Sequence, residues 1–124
     1  MPDSHWKAAM DVTIYHNPRC STSRNTLEII RAAGIEPAII EYLQQPPSHA
    51  LLRAMAGAAG IPVRALLRSK EAVYAELGLD NPALDDDALV DAMLAHPVLI
   101  ERPLVVSGKG VRLCRPAELV REIL

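Results

Sequence analysis

Residues 11–43, DVTIYHNPRCSTSRNTLEIIRAAGIEPAIIEYL, read as strand, helix, strand. DVTIY is a short β-rich run. From Ser21 to Ala33 the apolar residues Leu27, Ile30 and Ala33 recur at helical spacing, and Gly34 stands where a glycine closes a helix. PAIIEYL (37–43) is a second strand, stopped by Pro46-Pro47. Two strands joined through one helix pair in parallel across a right-handed crossover.

Working outward, Ser48 caps a helix with Leu51, Leu52 and Met55 on one side. VRALLR (63–68) and EAVYAELGL (71–79) read as helical, which puts Arg64 and Arg68 one turn apart on a shared face. Asp85 to His96 is amphipathic through Leu89, Met93 and Leu94. PLVV (103–106), the turn at 107–110 and VRLC (111–114) make a β-hairpin, and RPAELVREIL closes as a helix with Pro116 in its first turn. The expected fold is α/β, with a mixed sheet of about four strands. A helical insertion over residues 48–96 or so separates its β-α-β half from its β-β-α half. Residues 1–124 form one domain behind a short polar leader at 1–10.

Half of the 124 residues are hydrophobic, and the aromatics number one Trp, three Tyr and no Phe, so aliphatic side chains must fill the core. With so few aromatics and a net charge of -2, the sequence offers neither base-stacking surfaces nor a cationic field for nucleic acid or anionic membrane. No apolar run approaches the ~20 residues that span a bilayer, and no stretch has signal-peptide form. The two cysteines make no disulfide framework, which fits a reducing, cytoplasmic setting. Cys20 and Cys114 are not spaced as metal ligands, and no His cluster completes a set, so no metal is expected.

Cys20 stands where the loop after the first strand meets the first helix. The unpaired N–H groups and dipole of a helix N-terminus favour negative charge, so this thiol should ionise below the free value of about 8.5. Ser21, Thr22 and Ser23 offer hydroxyl donors at the same end, and the place suits a nucleophile beside an oxyanion. His16 is close enough to act either as an imidazolium partner or by hydrogen-bonding the loop. Arg19 and Arg24 flank the thiol in sequence, Arg24 being equally suited to a structural role. Cys114 reads as a buried structural cysteine.

The motifs HNPRCSTSRNTLEIIR, VRALLR, ERPLVV and VRLCRP, in this order from about residue 12 to the end, resemble the ArsC-type arsenate reductases linked to glutathione and glutaredoxin. The resemblance implies a thioredoxin-like fold and reduction of arsenate to arsenite. Cys20 would be the nucleophile, and Arg68, Arg102 and Arg115 would bind and stabilise the oxyanion. Planar, permanently charged guanidinium forks suit a tetrahedral dianion better than lysine does. Glutathione would be the co-substrate and glutaredoxin the partner, with no bound cofactor and a monomeric chain. The fold also implies a cis peptide at Arg102–Pro103, beside the cysteine. Some members carry a longer C-terminal tail, and the four motifs are complete without it.

Three alternatives share parts of the pattern. A monothiol glutaredoxin-like oxidoreductase needs the low-pKa thiol but not three arginines. An Spx-like regulator that binds RNA polymerase usually carries CxxC, whereas the stretch here is Cys20-Ser21-Thr22-Ser23. Cysteine phosphatases space Cys and Arg by five residues, against three between Cys20 and Arg24.

Overall fold

The computed structural model describes residues 11–124, so the leader expected at 1–10 lies outside the described residues. The chain divides into two compact units, one of residues up to Tyr42 with Arg102–Leu124, the other of Leu43–Glu101.

In the first unit β1 (Val12–His16), α1 (Ser21–Ala32) and β2 (Ala38–Glu41) form the expected β-α-β, with β1 and β2 parallel in the register Thr13↔Ala38 to His16↔Glu41. The hairpin of β3 (Leu104–Ser107) and β4 (Gly110–Leu113) completes a four-stranded sheet of order β2-β1-β3-β4. β3 runs antiparallel to both β1 and β4. A Schellman motif ends α1: the N–H of Gly34, at φ +82°, donates to Arg31 O, and that of Ile35 to Ile30 O. Leu27 and Ile30 of α1 pack with Val12, Ile14, Val105, Cys114, Val120 and Ile123 in one aliphatic cluster. Ala33, expected on the same face, is exposed.

The Arg102–Pro103 peptide is cis as expected, and the Arg115–Pro116 peptide is cis as well. The closing segment Ala117–Ile123 is a 3-10 helix, with Pro116 just before it.

The second unit is helical: α2 (His49–Ala59), α3 (Ala72–Glu76) and α4 (Asp86–Ala95), with 3-10 turns at Val63–Leu66 and Pro97–Leu99. Ser48 caps α2 by accepting the Leu51 N–H at 3.1 Å, and Asp85 caps α4 by accepting that of Ala88 at 2.8 Å. Leu52, Met55 and Ala56 form the buried face of α2, whereas Leu51 is exposed. On α4 the buried set is Leu89, Val90 and Met93.

One helical expectation fails here. VRALLR is a 3-10 turn only to Leu66; Leu67 then bridges antiparallel to Ile100, with Arg68 N–H donating to Leu99 O and Glu101 N–H to Leu66 O, both at 2.7 Å. The chain is extended at Leu67, where this ladder satisfies the backbone on either side, so Arg64 and Arg68 share no helical face. Arg64 instead donates to the carbonyls of Leu79 (2.6 Å) and Asn81 (2.9 Å). Among the described residues no helix is long and apolar enough to cross a membrane.

Candidate active site

Sheet register brings the first unit's chemical groups together. β1 ends at His16, and the loop to α1 carries Cys20, the N-cap residue of the helix. Tyr15 pairs with Leu104, so the start of β3, and Arg102 just before it, lie at the end of β1 that feeds this loop. Leu104 also pairs with Leu113, and Cys114 N–H donates to Pro103 O at 2.9 Å, which sets Arg115 beside Arg102. Arg115 Nη1 donates to the carbonyl of Arg102 at 3.0 Å and stands 4.0 Å from Cys20 Sγ. Two arginines far from Cys20 in sequence thus meet the thiol.

Cys20 is half-buried and free. Its thiol closes no regular capping hydrogen bond, yet the backbone N–H groups of Ser23 and Thr22 favour its charged form. Burial pushes the thiol pKa up; the Ser23 N–H, the hydrogen bond and charge of Arg102, and the Thr22 N–H together outweigh it, and the net direction is down. The reactive thiolate therefore persists below the ordinary thiol range and is lost as pH falls through the lowered value. Alkylation of Cys20 by iodoacetamide should show its midpoint below about 8.5; a midpoint at or above that value would contradict this electrostatic reading.

The hydroxyls expected to support the thiol are arranged differently. Ser23 is fully buried, its Oγ accepting the Asn17 N–H at 3.1 Å and lying 2.6 Å from His16 Nδ1. Burial lowers the His16 pKa; Glu41 opposes this, while Arg31 and Arg24 add to it. His16 thus meets the loop through Ser23, and its surroundings disfavour the charged ring. Thr22 and Ser23 serve the thiol through their N–H groups, and Ser21 lies exposed on the first turn. Arg24 is structural in its contact, donating to Pro18 O at 2.9 Å, and Arg19 is exposed.

Arg68 belongs to the second unit, where Nε donates to Glu71 at 2.9 Å and Nη1 to Glu101 at 3.3 Å. Neither carboxylate partner was evident in the sequence; Glu71 stands three residues on from Arg68, but Glu101 meets it only through the Leu67–Ile100 bridge. Asn17 also escaped the sequence reading, although its Asn-Pro step is a turn signal. Among the described residues no group of three or more His, Cys, Asp or Glu is placed to hold a metal.

Cys114 sits in the aliphatic cluster, its pKa pushed up to about 12, chiefly by burial. Its S–H reaches Arg112 O at 3.7 Å. Cys114→Ser should keep most activity, and Cys114 should escape alkylation in the native protein, as mass spectrometry of the labelled chain can establish.

An open mixed sheet, a helix capped by a half-buried low-pKa cysteine and a cis-proline strand beside it define a thioredoxin-like thiol protein. A model of the ArsC family matches residues 15–123, and the chain belongs to that family. It is 60% identical over 115 residues to a protein of Rhizobium meliloti (strain 1021) named arsenate reductase, covering 93% of this chain and 82% of that one. It is 56% identical to the arsenate reductase of Escherichia coli (strain K12), over 92% of this chain and 81% of that one. The solved structure of an arsenate reductase from Vibrio cholerae superposes with a TM-score of 0.89 at 50% identity, covering 94% of this chain and 99% of that one.

Proposed function

We propose that this protein reduces arsenate to arsenite, the whole chain serving as one reductase domain with Cys20 as nucleophile. The observation that carries the reading is the Cys20 thiol, shifted toward thiolate beside Arg102 and Arg115, in a chain 60% identical to an arsenate reductase. Arg102 and Arg115 bind the oxyanion, a role that the family resemblance extends to Arg68. The thiolate attacks arsenic of HAsO₄²⁻; an As–O bond breaks, two protons and that oxygen leave as water, and a Cys20–S–As(V) ester remains. The arginines stabilise charge on the departing oxygen.

Glutathione then attacks, two electrons pass to arsenic, and arsenous acid leaves as a Cys20–glutathione mixed disulfide forms. Glutaredoxin clears that disulfide. In total, HAsO₄²⁻, two glutathiones and two protons give arsenous acid, glutathione disulfide and water. An external thiol is required because Cys114 is buried and its thiol form is favoured. The same chemistry suits a monomer in the reducing cytoplasm, with no bound cofactor.

The test is a coupled assay with glutathione, glutaredoxin, glutathione reductase and NADPH. Arsenate-dependent NADPH oxidation is expected; oxidation that ignores arsenate but, with glutaredoxin left out, follows an added glutathione mixed disulfide would instead make the protein a glutaredoxin-like oxidoreductase.

A further inference from the structure

The loop in front of Cys20 is closed twice by one residue. Asn17 occupies the first position of a four-residue turn, with Pro18 second and Cys20 fourth, the arrangement in which asparagine and proline favour a turn. Its main-chain carbonyl accepts the Cys20 N–H at 3.0 Å. Its side-chain Oδ1 accepts the Arg19 N–H at 2.9 Å, an Asx-turn laid over the same residues. Its own N–H donates to Ser23 Oγ at 3.1 Å, which ties the turn to the first turn of α1. Asn17 is 8% exposed, so water is a poor substitute for these bonds.

The carbonyl and N–H of this network are available from any residue, but the Oδ1 bond is specific to the side chain. Without it the Pro18–Arg19 segment loses its second closure, and Cys20 shifts relative to the Thr22 and Ser23 N–H groups and to Arg102. From this geometry we infer that Asn17 is a positioning residue for the Cys20 sulfur, acting through the turn rather than by touching substrate. The inference deepens the reading of Cys20 as nucleophile, and its main readout makes no use of arsenate.

The experiment compares Asn17→Ala and Asn17→Gln, which lose the acceptor or displace it, with Asn17→Ser, whose hydroxyl can close the corresponding turn. The pH profile of Cys20 alkylation is measured in each, with thermal unfolding as the check on folding. Loss of one hydrogen bond's influence should slow alkylation at neutral pH about two- to tenfold for Asn17→Ala and Asn17→Gln and shift the midpoint upward. Asn17→Ser should recover much of the rate. Should the alanine variant not fold, the glutamine variant is read in its place. A wild-type alkylation profile in a folded Ala or Gln variant, or a serine variant no better than these, overturns the inference. If alkylation shifts as expected but no variant, nor the wild type, turns over arsenate, the positioning role stands and the arsenate reading fails.

Discussion

Cys20→Ser is expected to abolish arsenate-dependent NADPH oxidation while leaving the protein at least as stable as the wild type. A serine hydroxyl does not ionise at neutral pH, so the N–H groups of Thr22 and Ser23 and the charge of Arg102 would face a neutral, weak nucleophile. Stability should move the other way. Cys20 is the N-cap of α1 and closes no side-chain cap, whereas serine is among the best N-cap residues, worth up to about 1 kcal/mol. A dead enzyme with an unchanged or raised melting temperature separates chemistry from folding. Residual turnover in Cys20→Ser together with loss in Cys114→Ser would reverse the roles assigned to the two cysteines.

Arg102→Ala should give the largest loss among the arginines. Its guanidinium favours the thiolate both by a hydrogen bond and by charge, so removing it weakens the nucleophile and the anion site together. A charged hydrogen bond contributes about 1.5–3 kcal/mol, which corresponds to losses of tens- to hundreds-fold in kcat/KM. Arg102→Lys should restore little, because a point charge on a flexible stem does not reproduce the fork. Arg115→Ala should cost less: its Nη1 stands 4.0 Å from the sulfur, and its shorter contact is to the Arg102 carbonyl. Arg68→Ala should lower activity too and leave Glu71 and Glu101 without their common cation. Protection of Cys20 from alkylation by arsenate should weaken in step. Wild-type activity in all three variants would refute the arginine cradle.

The β-α-β start was legible because its signals are local. The Leu27 and Ile30 spacing, Gly34 past the helix end and the β-rich runs on either side each act within a few residues. The hairpin was legible for the same reason, through its Gly108-Lys109 turn between apolar runs. The helical expectation for VRALLR failed because longer-range pairing overrode a local pattern. The Leu67–Ile100 bridge captured the end of VRALLR, and local apolar spacing could not foretell it.

The sequence by itself determined the strand–helix–strand order and a thiol at a helix mouth, where backbone dipoles favour its charge whatever surrounds it. Tertiary structure alone decided which cations reach that thiol. Antiparallel pairing of β1 with β3, and of β3 with β4, sets Arg102 and Arg115 beside Cys20, and only the folded sheet spans that separation. It likewise turned Ser23's hydroxyl inward to His16 and Asn17: a fully buried hydroxyl must find partners, and those partners lie at the end of β1 and the start of the loop before the thiol.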